Sequence, residues 1–352
     1  MRRTVFAIVA VAALGVTVMT CSPVYVFRAG IEEARILSRR RPIPEVVNDP
    51  ATRAETRDKL RLVLDARTFA REALDLDVGD SYTTYSWVER DTLALVLSAA
   101  RKDRFEAHTW WFPIVGHVPY KGYFDSDDAL DAARALEARG YDTYLRPTSA
   151  FSTLGWFNDP LLSTIVDYDD VSLASTVIHE LSHNTLYLPS RVSFNESFAN
   201  FVGDRGAIAL FCDLEGPDGE RCTTARARWH DNLVFGEYLQ ALIGELERLY
   251  GREDLSTEQV VRRRERVFER ARERFARDVE PRLRTDRFRG FERTGFNNAR
   301  LIAWRLYYDR LDRFEAVYRR HDGDLAGAIA AIRAAVRDAD DPFHAVATLA
   351  SP

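Results

Sequence analysis

The spacing of hydrophobic positions changes along the chain. Residues 55–74 carry Leu60, Val63, Leu64, Ala70 and Leu74 at helical intervals and predict a helix packed on one face. From 81 to 99 the pattern turns strand-like. Residues 82–88 are rich in β-branched and aromatic side chains, 93–97 form a second run, and the aromatic stretch 108–113 continues it. Residues 116–124 read as a turn-rich aromatic loop. Residues 128–139 read as a short alanine-rich helix stopped by Gly140, and 141–146 as a strand. Beyond about 170 the period is helical almost throughout. Ala174, Val177, Ile178, Leu181 and Thr185 form one apolar face, and Pro189 bars that helix from continuing. A second run, Phe198, Phe201, Val202 and Ala209, follows Asn195, a plausible N-cap. Helices are then expected over 225–250, over the highly charged 258–280, from Asn297 through Tyr308 to Tyr318, and lastly over 322–336. The pattern predicts an α+β fold. A small, largely antiparallel sheet (about 80–170) is followed by a mainly helical lobe (171–352).

Composition sets the class. At 352 residues, with 46% hydrophobic and 29% charged residues, the chain can bury a substantial core. A net charge of −5, with arginines interleaved among acids, gives no reason to expect a nucleic-acid partner. The N-terminus departs from this picture. Arg2 and Arg3 precede an uncharged run from Thr4 to Thr20, which ends at Cys21. That is the form of a secretory signal. Val18-Met19-Thr20-Cys21 resembles a bacterial lipobox, although Thr20 stands where Gly or Ala is usual. An uncleaved hydrophobic anchor is the alternative. Both readings make residues 1–21 a signal or anchor and place 22–352 outside the cytoplasm, attached to a membrane. Export would permit a disulfide between Cys212 and Cys222, whose intervening Gly216-Pro217-Asp218-Gly219 is a turn signature. Two free buried thiols remain the other possibility.

The candidate chemistry lies in His179-Glu180-Leu181-Ser182-His183, an H-E-x-x-H motif within the first apolar helix. Four residues apart, the two imidazoles share a helical face and can bind one Zn²⁺. Glu180 then lies beside the metal, placed to take a proton from water. Glu196, next to Asn195, is the candidate third ligand. Two histidines and one glutamate leave a fourth coordination position open, the arrangement of catalytic zinc. Two core histidines beside an unrelated carboxylate are the bland alternative.

These residues carry a family resemblance. His179-Glu180-Leu181-Ser182-His183 with Phe194-Asn195-Glu196-Ser197-Phe198-Ala199 resembles the gluzincin zinc aminopeptidases, which combine H-E-x-x-H with N-E-x-F-A. Only twelve residues separate His183 from Glu196, so the connection must be tight. Pro119-Tyr120-Lys121-Gly122-Tyr123-Phe124 and residues 152–160 sharpen the likeness to bacterial predicted aminopeptidases, often lipoproteins. The resemblance implies a zinc metallopeptidase in which His179, His183 and Glu196 hold the metal between sheet and helical lobe. Glu180 is then the base, and a peptide losing its N-terminal residue is the substrate. It also implies a tyrosine that stabilises the oxyanion, and the family pattern points to Tyr307. Helical phase counted from Asn297 points instead to Tyr308. Residues 152–157 read equally as an edge that holds the substrate backbone and as a packed aromatic loop, and Asp159 is the candidate partner of its α-ammonium. An endopeptidase, an amidase acting on an envelope component and a non-catalytic lipoprotein remain alternatives. Oligomeric state is not legible.

Overall fold

The computed structural model describes residues 36–88, 94–112, 116–148 and 160–351. The fold is α+β, as the pattern predicts. Its strands are β1 (Arg41–Pro42), β2 (Thr84–Ser86), β3 (Ala94–Arg101), β4 (Trp110–Phe112), β5 (Gly116–Val118), β6 (Tyr120–Tyr123), β7 (Tyr141–Thr148) and β8 (Leu161–Leu162). Its helices are α1 (Ile43–Asn48), α2 (Ala54–Glu72), α3 (Ser126–Ala138), α4 (Ser163–Val166), α5 (Asp170–Thr185), α6 (Val192–Glu215), α7 (Glu220–Tyr250), α8 (Thr257–Arg274), α9 (Asn298–Tyr308), α10 (Leu311–Arg320), α11 (Leu325–Val336) and α12 (Pro342–Ala350). Among the described residues, no helix is long and apolar enough to cross a membrane.

The main sheet is antiparallel, in the order β6-β3-β7. Strand alternation gives it two different faces. Leu97 and Ala99 turn towards Ala133 and Leu136 of α3 and form a small core with Leu145 and Tyr123. The opposite face carries Tyr120, Ser98 and Tyr144 in one cross-strand row, with Val96 and Arg146 in the next. This face looks towards α9. The largest core joins α2, α5, α6, α10, α11 and α12, with Val177, Ile178, Phe198 and Phe201 fully buried within it. A second, aromatic core lies among α7, α8, α9 and residues 275–296.

One buried polar hub ties the sheet to the helices. Asp142 of β7 accepts hydrogen bonds from Arg264 of α8 (2.6 Å) and from the backbone N–H of Asn298 (2.9 Å). Asn298 in turn donates to the Arg101 carbonyl and accepts from the Tyr250 hydroxyl. The first turn of α9 is thus satisfied by the sheet.

Four expectations need correction. Residues 116–124 form two short strands, because β5 pairs with β4 and β6 with β3. Asn195 is no N-cap: α6 begins at Val192, and the Asn195 side chain bonds both N–H and C=O of Leu188. That clamp holds the tight connection between α5 and α6. The expected helix from 297 to 318 breaks after Tyr308, where Arg310 takes a left-handed conformation (φ 53°). A further helix, α12, follows α11; Asp341 caps it and Pro342 occupies its first turn. Cys212 and Cys222 are joined in a disulfide.

Candidate active site

Helix α5 starts at Asp169, whose carboxylate accepts from the Ser172 N–H. Its buried face holds Val177, Ile178 and Leu181, so His179 and His183 project together from the other side. Their rings lie 5.1 Å apart and nearly perpendicular. Helix α6 crosses unusually close. A Cβ on Gly203 would stand 2.6 Å from the Ser175 carbonyl and 2.9 Å from His179 Cβ. Only glycine fits there.

This approach brings Glu196 to both imidazoles. Its carboxylate lies 3.4 Å from His179 Nε2 and 3.7 Å from His183 Nε2. One donor atom from each of the three residues lies within 4.8 Å of the others. These separations are long for hydrogen bonds. Two ligands held by one tetrahedral ion at about 2.0–2.1 Å stand roughly 3.4 Å apart, so the spacing fits a shared cation. Two imidazoles and a carboxylate are also donors that suit zinc. Among the described residues the buried Nδ1 of His183 has no hydrogen-bond partner.

The cluster's electrostatics are asymmetric. Burial, then the charge of His179, pushes His183 down to about 4. Burial also works against the charged form of His179, but Glu196, Glu180 and Asp204 outweigh it and raise its proton affinity. Glu196 is held below its ordinary range: burial opposes this, but the two imidazoles and Arg146 prevail. Two cationic imidazoles this close are not tolerated.

Glu180 opens onto a cavity of about 410 Å³, lined also by His179, Asn200, Asp204, Asp169 and Arg228. Asp204 accepts from Ser175 (2.8 Å) and Asn232 (2.6 Å), and Asp169 from Arg228 (2.7 Å).

The structure separates the two tyrosines. Ser193, Ser197 and Asn200, along one face of α6, donate to the carbonyls of Arg305, Leu306 and Tyr307. They satisfy the orphan carbonyls at the end of α9 and fix its last turn. Burial, then the charge of Glu196, raises the Tyr307 hydroxyl far above its ordinary value; Glu180 and Tyr120 add to this. Tyr307 therefore stays neutral, a donor near the cluster. Tyr308 points elsewhere, its ring against Phe235 and Phe288 and its hydroxyl near Arg287.

Two neighbours were not singled out as site residues from sequence. Tyr120 of β6 feels Glu196 and Glu180, and burial raises its pKa as well. The Arg146 guanidinium of β7 lies 5.8 Å from the centre of the Tyr307 ring. Strand parity was the available signal, but it needs the register of β6 and β7 on β3. Residues 149–159, with the candidate substrate edge and Asp159, lie outside the described residues, as does Cys21.

The arrangement defines a class: a buried His/His/Glu cluster able to hold a metal ion, with a glutamate beside it at a polar cavity. A sequence model of the family described as "Putative aminopeptidase" matches residues 24–341, and the chain belongs to that family. Membership places it among peptidases in general. No curated protein and no solved structure matches the chain.

Proposed function

We propose that the protein is a zinc-dependent aminopeptidase. The observation that carries this reading is the convergence of His179, His183 and Glu196 next to Glu180 at the cavity, in a chain of this family. His179, His183 and Glu196 would hold the ion. When bound, zinc would polarise the scissile carbonyl and acidify a water towards a pKa near ~7. Glu180 accepts the proton of the attacking water and passes it to the leaving amine. Neutral Tyr307 donates a hydrogen bond to the oxygen on which charge develops. Asp204, facing the same cavity as Glu180, is the carboxylate offered to the substrate's α-ammonium, since Asp169 there is already paired with Arg228.

We further propose that residues 22–352 act as one catalytic domain outside the cytoplasm, attached to a membrane through a lipid on Cys21 or a hydrophobic N-terminus. The Cys212–Cys222 disulfide supports export.

The test is a peptide pair differing only in N-terminal acetylation, which removes the charge of the amine. The zinc-loaded protein is expected to release the first residue of the free peptide and to spare the acetylated one. Chelation is expected to abolish the activity, and zinc to restore it. The purified protein is expected to carry about one zinc per chain, and the His179→Ala, His183→Ala double variant almost none. Equal internal cleavage of both peptides would make the protein an endopeptidase. Full zinc occupancy in the double variant would end the metal assignment.

A further inference from the structure

Arg146 has no part in the chemistry above, yet the fold delivers it to the site. On β7, Asp142, Tyr144 and Arg146 alternate onto the face that looks at α9. Each meets a later part of that helix: Asp142 the N–H of Asn298, Tyr144 the ring of Trp304 (6.2 Å between centroids), and Arg146 the ring of Tyr307 (5.8 Å). The first two contacts are structural. The third sets a cation beside the proposed oxyanion donor.

Two other inward-facing arginines are matched by carboxylates: Arg264 has Asp142, and Arg205 has Glu315. Arg300, without an ion pair among the described residues, donates to the Gly295 carbonyl and lies over the Tyr144 ring. Among the described residues Arg146 forms no ion pair, and its buried Nε has no hydrogen-bond partner. A buried donor left without a partner is costly. Its rigid fork of N–H donors matches a carboxylate with two parallel hydrogen bonds. Tyr120 stands on the same sheet face, one cross-strand row away, with a neutral hydroxyl able to donate to the same anion. The charge of Arg146 is also felt at Glu196. The missing anion therefore belongs close to the scissile bond.

We propose that Arg146, assisted by Tyr120, binds a carboxylate of the peptide substrate, so that the enzyme favours short peptides whose carboxylate lies next to the cleaved bond. This rests on the peptidase reading. The carboxylate is either the α-carboxylate of a dipeptide or an acidic side chain on its second residue.

The experiment compares Ala-Ala, Ala-Ala-amide and Ala-Asp-amide as substrates for the zinc-loaded wild type, Arg146→Gln and Arg146→Lys. Wild type is expected to show a KM roughly ten- to a hundredfold lower for Ala-Ala than for its amide, the size of a lost charge-assisted hydrogen bond. Arg146→Gln brings the ratio near one, and Arg146→Lys, which keeps the charge without the fork, leaves it in between. Ala-Asp-amide separates the sources: it behaves like Ala-Ala if a side-chain carboxylate is read, and like Ala-Ala-amide if only the terminus is. A ratio near one in wild type overturns the proposal. So does a ratio that survives in Arg146→Gln while kcat falls on every substrate, since Arg146 then serves the oxyanion. Calorimetry with an uncleavable reduced-bond Ala-Ala and its amide keeps the two readings apart. Arg146-dependent preference for the free carboxylate without turnover of any peptide would remove the peptidase reading and leave this site standing. No preference in binding removes the site itself.

Discussion

Helix α6 carries two inward charge clusters on opposite faces. Glu196 and Arg205 are nine residues apart, about two and a half turns. They are equally withdrawn from water, their side chains 17% and 16% exposed. Around Arg205 each charge finds its match. Glu315 accepts two hydrogen bonds from Arg205, one from Trp229 Nε1 (2.9 Å) and one from Arg319 (2.9 Å). The Arg205 guanidinium also lies over the Tyr318 ring, 4.1 Å from its centre. Around Glu196 the contacts stretch to 3.4 and 3.7 Å, and among the described residues His183 Nδ1 and Arg146 Nε lack partners. A closed network fixes α6 against α7 and α10, whereas an open one leaves valence for something the chain does not supply. Along α6, shortage of partners rather than burial or charge distinguishes the Glu196 face from the Arg205 face.

If that distinction is sound, damage to the two faces separates activity from stability. The largest effect is expected on the open face. Glu180→Gln is expected to lower kcat by at least several hundredfold, within the ~10²–10⁴ range for a lost general base, with zinc content and melting temperature kept. Steady-state kinetics with metal analysis checks this, and turnover at the wild-type rate excludes Glu180 as the base. On the closed face, Glu315→Leu strands Arg205. It is expected to cost about 3–5 kcal/mol in chemical denaturation, with the metal retained by whatever fraction stays folded. A smaller loss follows from the crossing that joins the faces. Gly203→Ala puts a methyl against the Ser175 carbonyl and His179 Cβ and is expected to cost about 1–3 kcal/mol and weaken zinc binding. Unchanged zinc affinity would show that α5 and α6 yield without disturbing the histidines. The smallest effect concerns Asp169. Burial opposes its ionisation, but Arg228 and Ser172 outweigh this and hold its pKa down to about 2. A depressed carboxylate stabilises the fold above its unfolded pKa, and the benefit is lost as pH falls through the folded one. The side chain is half exposed, so the gain is of order 1 kcal/mol or less. Asp169→Asn is expected to melt slightly below wild type at pH 6, with the gap closing between about pH 4 and 2. A gap independent of pH would assign the effect to the cap alone.

The pairing of His179 with His183 was legible because both lie on one helix, where spacing alone fixes direction. Glu196 was legible only through its motif, and the reason given for its placement was wrong: α6 starts earlier, and Asn195 staples the preceding loop instead of opening the helix. Phase counted from Asn297 favoured Tyr308. A phase relates a residue to its own cap and says nothing about what stands opposite. The end of α9 is instead set by three donors on α6. Tyr120 and Arg146 were out of reach for a similar reason. Each lies on a strand whose face follows from pairing with β3, and no local period encodes that register. The left-handed turn at Arg310 also escaped, since no glycine marks it.

Asp142 is a single carboxylate that answers to two helices at once, α8 through Arg264 and α9 through the Asn298 N–H. Tyr120 and Arg146 ride on the sheet that holds it, and Tyr307 on the helix it starts. The proposed carboxylate site and oxyanion donor therefore belong to one plate, and the proposed ligands, base and ammonium site to another, built from α5 and α6. On the proposed reading, substitutions at Arg146 or Tyr120 redraw which peptides are accepted while the ligands and base of the second plate stay in place. Metal binding and appetite can drift separately in such a molecule, and the Asp142 hub is where a shift in one strand would be transmitted to Tyr307, with α4 to α8 lying between them in the chain.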